Sequence, residues 1–202
     1  FGTSSLMVGD DATGTIDAAN YNTGLGVDIF AALTTGDDNV AVGFGAAGAL
    51  TTGVRNVFVG EEAGSIGTTT SYSVGIGRES LKNATGNNNT GVGYVALKGL
   101  TSGAENVAVG RSAMTGVVTG TSNVAVGYGA GAAITSGGYN TFLGRNAGDS
   151  VTTGSSNVAI GINAMHTLTA SSYPNIGIGE NALHSLASGT GQNAAIGYRS
   201  GE

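Results

Sequence analysis

His166 and His184 are the only histidines in the chain, and they stand eighteen residues apart. Two imidazoles could share a metal ion, but a metal site draws on three or four donors. The sequence sets no carboxylate beside them at ligand spacing. The position they occupy also holds Lys82, Lys98 and Asp149, so they read as solvated side chains. Glu61-Glu62, Asp10-Asp11 and Asp37-Asp38 are acidic pairs that could take a hard cation, yet the nonapeptide calcium-roll motif is absent, and they read as exposed loop charges. Gly75-Ile76-Gly77 and Gly24-Leu25-Gly26 each offer half of a dinucleotide loop without the full Gly-x-Gly-x-x-Gly that such a loop needs. Serine occurs everywhere and no Ser/His/Asp set is legible; there is no cysteine, hence no thiolate ligand or disulfide. The expectation is a protein with no catalytic residue, no cofactor and no metal, and not an enzyme.

A repeat accounts for the glycine pairs. A motif of the type Asn-Val-Ala-Val-Gly recurs twelve times, closing on Gly9, Gly26, Gly43, Gly60, Gly77, Gly93, Gly110, Gly127, Gly144, Gly161, Gly179 and Gly197. The intervals are 17, 17, 17, 17, 16, 17, 17, 17, 17, 18 and 18 residues. A fixed period this short describes one structural coil stacked on itself. The repeat covers nearly all 202 residues, so residues 1–202 read as a single repeat domain, with 1–38 as atypical entering coils and 39–202 as regular coils. The poorest match falls around Asp17-Ala18-Ala19-Asn20.

Each coil has a first half that reads as a strand. Asn stands four residues before the glycine at Asn22, Asn39, Asn56, Asn89, Asn106, Asn123, Asn140, Asn157, Asn175 and Asn193, with Ser5 and Ser73 in the other two copies. A side chain required in nearly every coil is architectural, so this column is expected to form a structural ladder in which each amide bonds the next coil. The residue before the glycine is always aliphatic, the one three before it is Val, Thr, Ile, Leu or Ala, and a small residue usually lies between, with Phe58 and Phe142 as large exceptions. That period-2 pattern predicts a short strand whose aliphatic pair, Val124 included, points into the stack. Parallel pairing at about 4.8 Å per coil gives a rod of roughly 55–60 Å.

The second half is also regular. Ala or Ser follows the glycine by three in eleven of twelve copies, Ile29 being the departure, and an aliphatic residue follows by seven in most. In Glu79–Ala84 and Asn181–Leu186 the apolar spacing of i, i+1, i+4 suits one helical turn or a rounded bend. The Thr-Thr-Gly or Thr-Ser-Gly that comes next, as at Thr51-Thr52-Gly53, predicts a corner whose glycine supplies positive φ. The extra residues of the two 18-residue coils fall near Ser171-Ser172-Tyr173 and Gly189-Thr190-Gly191, where insertions belong in loops.

Composition sets the partners. Gly is 38 of 202, Pro is a single residue and aromatics are 6%, which would suit a flexible linker if the apolar residues were not in phase. The formal net charge is −6 with seven Lys plus Arg, so no basic stripe for nucleic acid is present. No apolar run approaches membrane length, so no membrane insertion is expected. The chain opens at Phe1 with neither Met nor a signal-like segment and is expected to be a piece of something longer. Seventeen residues enclose a thin core, and the glycine and alanine columns would admit another chain closely; a homotrimer about one axis is expected. The column one after the glycine varies (Phe44, Glu61, Arg78, Tyr94, Arg111, Tyr128, Arg145, Glu180, Tyr198), and Tyr94, Arg111, Tyr128 and Arg145 are its candidate surface contacts, though ordinary surface would look the same.

The stretch Asn39–Gly53 resembles the repeat region of phage tail-fibre proteins of the marine and cyanobacterial type. Val158-Ala159-Ile160-Gly161 is similar to the Val-Ala-Ile-Gly motif of the parallel β-roll heads of trimeric autotransporter adhesins, whose coil is shorter. The repeat reads as an all-β, parallel β-solenoid or β-roll of about twelve 17-residue coils. The resemblance implies a homotrimer on a virion tail fibre or extracellular surface, and a host-surface polysaccharide or outer-membrane component is the expected partner. The expected function is a structural and adhesive tail-fibre segment. A bacterial surface adhesin or self-assembling filament is the alternative. An ice-binding solenoid is a weaker third, resting on the Thr column at Thr34, Thr51, Thr68, Thr85, Thr101, Thr135, Thr152 and Thr169.

Overall fold

The computed structural model describes residues 5–8, 18–168, 174–185 and 191–201. Every motif forms a three-residue strand: β1 (Leu6–Val8), β2 (Thr23–Leu25), β3 (Val40–Val42), β4 (Val57–Val59), β5 (Val74–Ile76), β6 (Thr90–Val92), β7 (Val107–Val109), β8 (Val124–Val126), β9 (Thr141–Leu143), β10 (Val158–Ile160), β11 (Ile176–Ile178) and β12 (Ala194–Ile196). They make one sheet in sequence order, all parallel. Register follows the repeat, Val107↔Val124 and Val109↔Val126, so each residue stacks on its counterpart one coil away. The result is an all-β parallel β-solenoid of about 17 residues per coil.

Facing is the reverse of the expectation. The middle residue of each strand enters the coil: Ala41, Ala108, Ala125, Ala159, Phe58 and Phe142 are all buried. The flanking aliphatics, Val124 and Val126 among them, lie on the outer face, half-buried or exposed. The reason is room. A coil this narrow accepts Ala or Gly from its strand because buried residues from the opposite turns, such as Leu97, Leu100, Met114 and Ile134, already fill it.

The turn half contains no helix among the described residues. In the coil after β8, Ala130 N–H donates to Gly127 O (3.4 Å), Ala132 N–H to Gly129 O (3.2 Å) and Ile134 N–H to Gly131 O (3.0 Å). Gly129 and Gly131 have φ of +66° and +59°. Positive φ at the third residue of an i+3→i turn marks type II, so two such turns run in tandem and produce the rounded bend without helical φ. Other coils hold Leu81, Leu97, Met114 or Met165 in the same left-handed conformation, which costs about 1–2 kcal/mol each and persists because bonds to the next coil, such as Leu81 N–H to Ala96 O (3.0 Å), over-determine the backbone.

The corner glycines do not supply positive φ. Gly36, Gly53, Gly103, Gly137 and Gly154 are absent from the left-handed set; a Cβ on Gly103 would instead sit 2.5 Å from the carbonyl oxygen of Gly120 in the next corner. Positive φ falls on the motif glycines, for example Gly93 at +131°, where a Cβ would also meet the Gly110 carbonyl at 2.7 Å. The glycine columns therefore serve coil-on-coil contact within one chain rather than the approach of a second chain. Of the irregular coils, 171–173, 189–190 and residues 9–17 lie outside the described residues; β1 and β2 still pair in register.

Candidate functional site

The Asn column runs through the buried interior. Asn123 Nδ2 donates to Asn106 Oδ1 (3.0 Å) and to the corner carbonyl of Gly137 (2.9 Å), while Asn123 Oδ1 accepts from the backbone N–H (3.0 Å) and Nδ2 (3.0 Å) of Asn140. The Asn123 amide thus spends both protons and both lone pairs. Asn39, Asn56, Asn89, Asn106, Asn140, Asn157, Asn175 and Asn193 stand in the same run. Ser73 keeps the axial chain with its hydroxyl: its N–H donates to Asn56 Oδ1 (3.0 Å) and its Oγ accepts from Asn89 N–H (3.2 Å). From Asn22 to Asn175 the ladder is buried, and its amides are bonded to the neighbouring coils.

Four columns lie on or beside the strand: positions three and one before the glycine on its outer face, and the largely exposed positions five before and one after the glycine, which flank it in sequence. The two central columns are mainly aliphatic, with Thr23, Thr90 and Thr141 among them; Val126 is 39% exposed and Ile196 74%. The outer two carry Tyr21, Asp38, Arg55, Tyr72 and Tyr139 on one rim, and Phe44, Glu61, Arg78, Tyr94, Arg111, Tyr128, Arg145 and Tyr198 on the other. Six of the seven tyrosines and four of the five arginines of the chain lie on these rims. The sequence reading picked out the second rim and missed the first. The missing signal was phase: Tyr21, Tyr72 and Tyr139 each precede a motif glycine by five.

The rims are stacked. Arg55 pairs with Asp38 at 3.5 Å, donates to the Tyr72 hydroxyl at 3.1 Å and lies 5.6 Å from that ring's centroid. On the other rim Arg78 pairs with Glu61 (3.2 Å) and lies 5.9 Å from the Tyr94 ring. Arg111 sits between two rings, 5.8 Å from Tyr94 and 5.6 Å from Tyr128. Arg145 is next in the column, and among the described residues neither Arg111 nor Arg145 has an ion pair.

Ionisable groups elsewhere pair across coils. Glu79 takes Lys98 at 2.8 Å and Lys82 at 3.0 Å, and Lys82 also reaches Glu62 at 2.6 Å. Those hydrogen bonds, from Lys98 first and Lys82 second, hold the Glu79 carboxyl down at about 2, and the bonds to Glu62 and Glu79 raise the Lys82 ammonium above its usual value. The histidine reading is corrected in one respect: a carboxylate does accompany it. Asp149 Oδ1 lies 2.6 Å from His166 Nδ1, and the His184 ring stacks on His166 with centroids 5.2 Å apart. Among the described residues no three His, Cys, Asp or Glu are grouped to hold a metal ion. In the Thr column the hydroxyls of Thr34, Thr51, Thr85, Thr101 and Thr135 donate to backbone carbonyls, as in Thr51 Oγ1 to Thr68 O (2.9 Å) and Thr135 Oγ1 to Thr152 O (3.1 Å). No described helix is long and apolar enough to cross a membrane.

Comparison with family models, with curated proteins and with solved structures returns no match.

Proposed function

We propose that this chain is a structural and adhesive rod segment of a phage tail fibre. Three copies pack about one axis, and the assembly meets a host-surface polysaccharide without degrading it. The observation that carries the reading is the outward aliphatic face. Two columns of Val, Ile, Leu and Thr run the length of a twelve-stranded sheet, about 53 Å at 4.8 Å per coil. With the columns about 7 Å apart, the strip covers several hundred Å², the scale at which exposed apolar surface marks a contact site. Three such flat faces turned inward bury one another and leave the varied turns outside. The tail-fibre and adhesin resemblance of the motif supports the same arrangement, and a virion or extracellular surface is where such a rod works. Ice binding is disfavoured because the hydroxyls of Thr34, Thr51, Thr85, Thr101 and Thr135 are bonded to carbonyls.

Light scattering tests the assembly: the expected mass is three times the 19.6 kDa subunit, and a mass of one subunit over a wide concentration range overturns it. Incubation with candidate host envelopes tests adhesion, with retention and no released sugar expected. Sugar release refutes the non-enzymatic part of the reading. Many weak contacts along three chains and several fibres would combine through avidity.

A further inference from the structure

We propose that the five-coil run Arg78, Tyr94, Arg111, Tyr128 and Arg145 is a docking strip for an acidic polysaccharide laid parallel to the rod axis. The inference rests on the adhesive reading above and names the ligand chemistry. The strip lies just beyond the glycine that ends each strand, at the rim of the aliphatic face, with Tyr94 43% and Tyr128 49% exposed. The guanidiniums of Arg78 and Arg111 both lie over the Tyr94 ring, and that of Arg111 also lies over Tyr128. Beside these stacked contacts, the strip offers a ligand the N–H edges of the arginines and the tyrosine hydroxyls. A guanidinium edge is a planar fork of donors matched to a carboxylate, and a stacked one loses less freedom when it binds.

Charge and spacing select the ligand. The chain carries a net charge of −6, and Lys82, Lys98, Arg55 and Arg78 are each paired with a carboxylate. Arg111 and Arg145 are not, so the strip holds positive charge that the molecule does not neutralise for itself. Successive arginines are two coils apart, about 9.6 Å, close to the length of two pyranose units. An acidic polysaccharide with one uronate per disaccharide therefore presents its charges in register, and the intervening tyrosine hydroxyls meet sugar hydroxyls. Phosphates along one strand of a nucleic acid duplex recur about every 3.4 Å of axis and would leave most of their charge unmatched.

The test measures binding of the full chain to immobilised hyaluronate, neutral dextran and oligothymidylate. Wild type is expected to bind hyaluronate in a salt-sensitive way and to ignore dextran. Arg111→Gln with Arg145→Gln is expected to weaken hyaluronate binding at least tenfold with unchanged mass and melting temperature, and Arg111→Lys, which keeps charge but not the fork, to weaken it less. Equal hyaluronate binding by wild type and the double variant overturns the proposal, as does no binding by wild type or equal binding of dextran. Tighter binding of oligothymidylate overturns it in favour of nucleic acid. A changed mass in the double variant overturns it by placing the strip inside a subunit interface. A monomeric wild type would sink the trimer alone, because the strip lies within one chain and its hyaluronate result stands or falls separately.

Discussion

Asn123 shows how much one side chain can do when it recurs in every coil. It is fully buried, and its amide makes four hydrogen bonds, two along the axis to Asn140, one to Asn106 and one across its own coil to Gly137. Asn123→Ala leaves the N–H of Asn140 and the Gly137 carbonyl without these partners inside the protein, at an expected cost of about 2–4 kcal/mol in denaturant unfolding. Ser122→Ala, which removes one exposed bond to Glu105, should change stability by less than about 1 kcal/mol. Equal losses would mean the ladder is not what fastens the coils. The axial half of this ladder was legible from the column alone. The bond to Gly137 was not, because it depends on how wide a coil is. Glu79 gives a residue-scale prediction in pH. Its carboxyl is depressed from 4.5 to about 2, so the stability it contributes is fully present above 4.5 and is lost as pH falls through about 2. Glu79→Gln should therefore be less stable than wild type at neutral pH, and the two should converge near pH 2. The gap will be modest, since Lys98 is 41% exposed and water screens the pair. A gap independent of pH across that window would rule out the ion pairs as its source.

At the scale of the strand and its turn, the core is filled by compensation between two columns. Where the strand centre is Phe58 or Phe142, the residue four after the motif glycine is Gly64 or Gly148, and a Cβ on Gly64 would lie 2.6 Å from the Phe58 ring. Where the strand centre is Gly75, Gly91 or Gly177, that residue is Leu81, Leu97 or Leu183, all buried. Ala108 and Ala159 are matched with Met114 and Met165. Phe142→Ala should leave a cavity worth about 3–5 kcal/mol. Adding Gly148→Met should restore more than half of the loss, since Gly148 (φ +59°) would then copy Met165 (φ +53°) opposite Ala159 in the next coil. A purely additive double mutant would refute the compensation. Period 2 told the sequence reader that strand residues alternate, but not which set is inside. Hydrophobicity favoured the aliphatic pair over Ala and Gly, whereas the interior is limited by volume. The i, i+1, i+4 spacing of Glu79–Ala84 left one helical turn and a rounded bend open, and the chain takes the bend: alternating φ signs bring those positions to one side without a helix. Comparing the two columns copy by copy would have exposed the facing error, because Phe against Gly makes sense only if the strand centre points inward.

The whole molecule is a rod with a narrow interior and, on the outside of its sheet, a mainly aliphatic face that the proposed assembly would cover. These two facts separate folding from assembly, and a pair of neighbouring substitutions can tell them apart. Ala125 is fully buried against the turns of its own and adjacent coils. Ala125→Asp forces an unpaired carboxylate into that space, and the single chain should lose cooperative unfolding or melt far lower. Val126, one residue on, lies 39% exposed on the outer face, beside Val109 and Leu143 of the neighbouring strands. Val126→Asp places its charge in water when the chain is alone, so the β-sheet circular dichroism signal should survive. In the proposed trimer the same charge would repeat at the same height on all three chains, facing the axis, where like charges cannot be solvated. The expected result is a folded chain whose light-scattering mass falls toward one subunit. Loss of fold in Val126→Asp, with Ala125→Asp tolerated, would reverse the facing described above. Retention of the trimer by Val126→Asp would leave the fold intact but move the interface off the aliphatic face, to the turns on the far side of the coil.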